Sequence, residues 1–120
     1  MQKSESSVKS AKDIVMEYIQ ATERQDFQSA RGYLSDNFSY VSPVNSFDRA
    51  DPYLMYNLHL YQTGQLRKFD IKKEFADSND VCIIHEYNSQ LVCLWYHVGN
   101  DGKLSSLRVI FDPRSLLQQR

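Results

Sequence analysis

Chemistry near neutral pH falls, in this sequence, to three histidines and two cysteines. His85 stands inside VCIIHEY, a run whose alternation predicts a strand with Ile83, His85 and Tyr87 on one side. An imidazole so placed is either a neutral core residue holding a hydrogen bond or a proton carrier at a cavity wall. Burial or a neighbouring carboxylate can move its pKa either way across neutrality. His59, in PYLMYNLHLY, lies one helical turn from Met55 and Tyr56. It reads as a helix-face residue, or as the second ring of a proton relay with His85. No third ligand at metal-binding spacing accompanies these rings, so neither a metal nor a cofactor is expected. Cys82 and Cys93 are too few for a disulfide framework or a metal cluster.

The elements that must position these groups are legible from periodicity. Val8, Ala11, Val15, Tyr18 and Ile19 form one apolar stripe, predicting a helix over about 7–22 capped by Ser7 or Ser10. Tyr18 in that stripe reads as core, its hydroxyl reaching one partner. Asp26 is placed to cap a second, short helix marked by Phe27, Ala30, Tyr33 and Leu34. A third is expected to start with Asp51 as cap and Pro52 at its first position, and to end at Gly64 after Tyr61.

Beyond Gly64 the period falls to two. Phe69, Ile71 and Phe75 alternate with charged residues as in a half-buried strand, and Val81–Tyr87, Leu91–Val98 and Leu104–Phe111 follow as three more. A short strand, Phe38–Ser42, precedes the third helix. Helices bunched before strands predict an α+β fold with helices on one face of a mostly antiparallel sheet.

A two-residue turn at Asn88-Ser89 sets His85 opposite Val92 and Ile83 opposite Leu94. A loop at Gly99–Gly102 then sets Tyr96 opposite Ser105, Leu94 opposite Leu107 and Val92 opposite Val109. One face gathers Ile83, His85, Tyr87, Val92, Leu94, Tyr96, Leu107, Val109 and Phe111. The other holds Cys82, Ile84, Cys93, Trp95, His97 and Arg108, with Cys82 opposing Trp95, so no intrachain disulfide is expected. Apolar groups on both faces predict a homodimer through the outer one, at Trp95 and His97.

The chain of 120 residues is read as one domain, 1–120, with an ordered core of about 7–114 and a loose tail at 115–120. Lys and Arg total 14 against 15 Asp and Glu, a balance that argues against nucleic acid or an anionic membrane as partner. No run approaches the roughly twenty apolar residues of a membrane helix. Residues 1–10 lack an apolar core, so no secretory signal is read and a cytoplasmic setting is expected.

Three stretches, IVMEYIQATERQDFQSARGYLSDNFSYVSP, PYLMYNLHLY and HVGNDGKLSSLRVIFDP, resemble the nuclear transport factor 2-like superfamily, in particular its SnoaL-like and ketosteroid-isomerase-like members. The resemblance spans nearly the whole chain. It implies a cone: a curved sheet wrapped around three N-terminal helices, with a pocket at the wide end and dimerisation through the outer sheet face. It also implies site positions. The isomerase's oxyanion-hole tyrosine falls on Tyr18, its general base on Ser42 before Pro43, its second oxyanion acid on Leu94 and a further pocket tyrosine on His59. Only the first of these matches. The aspartate of limonene-epoxide-hydrolase-like members falls on Val109. The catalytic histidine of scytalone-dehydratase-like members falls on His85, but its tyrosine partner falls on Ser42.

Three functional readings follow. In the first, the chain binds a small, largely apolar or aromatic molecule in the cone, against Tyr18, Tyr40, Ser42, His59, His85, Leu94 and Tyr96. In the second it is a small lyase or isomerase, with catalytic His85 moving a proton and Tyr18 donating to a developing enolate oxygen. In the third it is an interaction dimer whose cone is filled. The absence of an inner-face carboxylate favours the first.

Overall fold

Ser10 sits in extended backbone with its hydroxyl accepting from the Asp13 amide, and helix α1 (Ala11–Glu23) begins there in the computed structural model, which describes residues 9–66 and 68–114. Ser7, Val8 and the expected tail at 115–120 lie outside those residues. Asp26 caps α2 (Phe27–Gly32) through Ser29, as its position predicts. Tyr33 and Leu34 leave the expected helix: Tyr33 is its C-cap, and Leu34 opens strand β1 (Leu34–Val41) by pairing with Leu104. A two-residue strand, β2 (Ser46–Phe47), folds back on β1 and carries too little pattern to be read from sequence.

Helix α3 (Ala50–Gln62) starts one residue before the expected cap. Arg49 takes the cap position without a side-chain bond, and Asp51 lies inside the first turn. The reason is a stronger partner: Arg31 Nε donates to Asp51 Oδ1 at 2.7 Å, while its Nη2 donates to Asp36 at 2.7 Å and its Nη1 to the Leu34 carbonyl. One guanidinium thereby ties α2, β1 and α3 together. Gly64 ends α3 at φ +76°, a left-handed conformation that favours glycine.

Strands β3 (Asp70–Asp77), β4 (Asp80–Tyr87), β5 (Gln90–Val98) and β6 (Leu104–Ile110) form the expected meander. The curved sheet has the order β2-β1-β6-β5-β4-β3, with β1 parallel to β6 and every other pair antiparallel. The β4–β5 register is the predicted one, His85 against Val92 and Ile83 against Leu94. The β5–β6 register differs by two residues: Tyr96 meets Leu107 and Leu94 meets Val109. Leu104 opposes Val98 and an irregularity follows at Ser105, so the two extra residues restore the same inward set.

A bulge in β3 has the opposite effect. Ile71 faces His85, but Lys73 faces Ile84 and Phe75 faces Cys82, so the strand changes faces between Ile71 and Lys73. Phe75 therefore lies on the outer side, 56% exposed, against the half-buried strand that alternation predicts. Phe69 and Ile71 stay packed against the core. That core joins Val15, Tyr18 and Ile19 of α1 to Ile83, Leu94, Tyr96 and Leu107 of the sheet. The outer face, with Phe75, Trp95 and Ile110 exposed, is covered by no other described segment. Cys82 and Cys93 are free thiols, and no described helix is long and apolar enough to cross a membrane.

The bulge makes a simple prediction for urea unfolding. Phe75→Thr should change stability by no more than about 0.5 kcal/mol, the range of surface substitutions. Ile83→Ala, which empties a fully buried site, should cost about 2–5 kcal/mol. A comparable loss at both positions would place Phe75 inward and contradict the bulge.

Candidate functional site

Between α3 and the inner face of β4–β6 lies a cavity of about 330 Å³. Its sheet wall is built from His85, Val92, Leu94, Tyr96, Leu107 and Val109, the set that the pleat turns inward. Tyr53, Tyr56, Asn57 and Leu60 of α3 form the opposite wall, at the spacings of one helical face. At the rim stand Ser42 and Val44 from the β1–β2 turn, Gln65 after α3, and Tyr87 and Asn88 at the β4–β5 turn. The Tyr87 hydroxyl donates to the Gln65 carbonyl, which ties the hairpin to the segment after α3 across the rim.

Aromatic rings dominate the end near β1. Tyr40 packs on Tyr53 with centroids 4.8 Å apart, and Phe47 packs on Tyr56 at 5.2 Å. Burial pushes the Tyr40 phenol up to about 12 and raises Tyr53 further, so both are neutral phenols at physiological pH. No carboxylate or cation is found among the described residues that line the cavity. Nor do three His, Cys, Asp or Glu side chains gather as a metal site among the described residues.

His85 is 5% exposed, and its ring stacks on Phe69 with centroids 4.8 Å apart and an interplanar angle of 26°. Its Nδ1 is buried and makes no hydrogen bond within the protein. Burial lowers its pKa below the ordinary value, and the nearby Asp70 charge offsets only part of that. The ring is thus a neutral imidazole at pH 7, free of any carboxylate that would fix its tautomer. Asn57, 8% exposed, has the same character: Nδ2 donates to Tyr53 Oη at 3.3 Å, and Oδ1 has no partner.

The structure places Tyr40, Ser42, His85, Leu94 and Tyr96 around one cavity, the last three on the inward face of the sheet. Two expected site residues are not there. His59 is exposed on the far side of α3, because Asn57 and Leu60, two residues before it and one after, take the inward positions. Tyr18 lies buried in the core behind the lining, its ring edge-on to Tyr96 at 6.2 Å. Its hydroxyl lies beside that of Tyr53, and burial raises its pKa strongly. Ser42 lines the rim, but its hydroxyl is engaged in the turn. It donates to Asn45 Oδ1 at 2.8 Å and accepts from the Val44 and Asn45 amides. Sequence reasoning missed Asn57. The signal was present, since an amide interrupts the buried helical stripe of Tyr53, Leu54 and Tyr61.

The His85 environment predicts an acid-sensitive fold. The unfolded chain takes up a proton at the ordinary value of 6.5, whereas folded His85 does so only at lower pH. The unfolded state therefore binds more protons in that window, and stability falls as pH drops through it. His85→Leu should flatten this part of the stability curve in urea titrations at successive pH values. An unchanged slope would mean that the imidazole is not desolvated.

No family model matches the chain, and no curated protein matches it in sequence. Solved structures do. A nuclear transport factor 2-like protein of unknown function from Cytophaga hutchinsonii is 27% identical over 98% of this chain and 99% of its own, with a TM-score of 0.78. A SnoaL-like protein of unknown function from Burkholderia thailandensis is 17% identical over 85% of this chain and 94% of its own, with a TM-score of 0.69. A limonene-epoxide-hydrolase-like epoxide hydrolase from M. tuberculosis is 17% identical over 90% and 86%, with a TM-score of 0.71. With its helices cupped by a six-stranded curved sheet, the chain belongs to the nuclear transport factor 2-like superfamily and has the fold of its SnoaL-like and ketosteroid-isomerase-like members.

Proposed function

We propose that the chain binds a small, largely apolar molecule in the cavity between α3 and strands β4–β6. The observation that carries this reading is the lining: aromatic and aliphatic side chains with few polar groups and, among the described residues, no formal charge. A volume of about 330 Å³ suits a ligand of one or two rings. Buried polar atoms at His85 and Asn57 supply orientation rather than most of the affinity.

One observation favours a second reading, proton transfer. A buried neutral imidazole with no internal hydrogen bond from Nδ1 is available as a base toward a bound substrate. Tyr18, set back from the lining, fits that reading less well than His85 does. Turnover of a bound ketone or hydroxy-aromatic, lost in His85→Leu, would select it. The third reading, a filled cone, does not fit a cavity of this size.

The binding reading is tested by titrating naphthalene, a planar apolar probe, into labelled protein and following side-chain NMR signals. Saturable shifts at His85 and Tyr96 are expected, with none at His97. Leu94→Trp, which fills the cavity, should weaken binding at least about tenfold, as loss of a buried apolar contact surface requires. Shifts centred on Trp95, or binding that survives the filled cavity, would overturn the reading.

We also propose that a second copy covers the outer face over β5 and β6, at Trp95 and His97 and beside the exposed Ile110. Sedimentation should give twice the chain mass, and Trp95→Asp should lower it; a monomer at high concentration would refute pairing.

A further inference from the structure

Tyr53 and Asn57 stand one turn apart on the cavity face of α3. Because Asn57 Nδ2 donates to Tyr53 Oη, the amide oxygen is left buried and without a donor. Native proteins pair more than nine in ten buried polar groups, and an acceptor stripped of water without replacement is costly. An amide oxygen has acceptor capacity alone. His85 and the tyrosine hydroxyls can each donate or accept, so they do not discriminate between ligands; Asn57 Oδ1 does.

Resting on the binding reading above, we infer that the occupant of the cavity is an uncharged, planar molecule whose polar end is a hydrogen-bond donor to Asn57, such as a phenol-like hydroxyl, and not a ketone or an ether. The planar body follows from the rings of Tyr40, Tyr56, Phe69 and Phe111 around the space, and the lack of charge from the lining among the described residues. The terminal torsion of an asparagine is soft, so a modest turn of the amide brings Oδ1 to an incoming hydroxyl. Asn57 then acts as a specificity residue: it rejects an analogue lacking the donor by leaving its own oxygen unpaired.

Calorimetric titration of the protein with naphthalene, 2-naphthol and 2-methoxynaphthalene tests this. The naphthol should bind about five- to tenfold tighter than its methyl ether, the range expected of one hydrogen bond. Asn57→Leu, of similar volume, should bring the two within about twofold. Should that variant fail to fold, the wild-type ratio still decides. An ether that binds as well as the naphthol, with naphthalene also bound, overturns the donor inference and leaves the binding reading intact. Preference for naphthol that survives in Asn57→Leu overturns the assignment to Asn57. Binding of none of the three overturns both.

Discussion

The pairing of β4 with β5 decides what this molecule can hold. Asn88 and Ser89 both take positive φ, 52° and 64°, and so close a two-residue turn whose twist matches that of the strands. That turn fixes Tyr87 opposite Gln90 and His85 opposite Val92. A slip of one residue would turn Val92, Leu94 and Tyr96 of β5 outward and bring Cys93, Trp95 and His97 inward beside His85. The cavity, its neutral imidazole and the apolar outer face all descend from this one register. The β5–β6 step tolerates two added residues because an even shift preserves the faces.

Within that frame the cavity wall combines two opposed demands. Packing favours apolar side chains, and the core from Val15 to Leu107 meets that demand. Yet Asn57 Oδ1 on α3 and His85 Nδ1 on the sheet are buried without a protein partner, on the two opposed walls of the same cavity. Each such group costs about 1–3 kcal/mol if left unpaired, so their clustering beside one cavity is the mark of a site shaped for something other than stability. Elsewhere the molecule satisfies its polar groups with care, as in the Arg31 clamp and the Ser42 turn.

How much of this was legible depended on the range of the interaction. Local signals read true: Ser10 and Asp26 cap their helices, Gly64 ends α3, and the Asn88-Ser89 turn sets the register. What failed depended on partners distant in sequence or on breaks in periodicity. Asp51 looked like a cap but is held by Arg31, twenty residues earlier. Phe69, Ile71 and Phe75 share one parity but Lys73 interrupts it, and the bulge between Ile71 and Lys73 turned Phe75 outward. On α3 the difference between Asn57, which lines the cavity, and His59, which does not, is a rotation of the helix about its axis. With tyrosines at 53, 56 and 61, the helix offers aromatic groups in more than one direction, and its rotation stays undetermined until the sheet is in place.

The central claim is that an apolar cavity persists between α3 and strands β4–β6 in the folded chain. Pressurising a crystal with xenon measures it directly, since the gas occupies apolar space large enough to hold it. The account predicts xenon density beside Leu94 and Tyr96, within reach of Asn57. Density found solely on the outer face, or none inside at high pressure, would mean that the space is filled and would contradict the account.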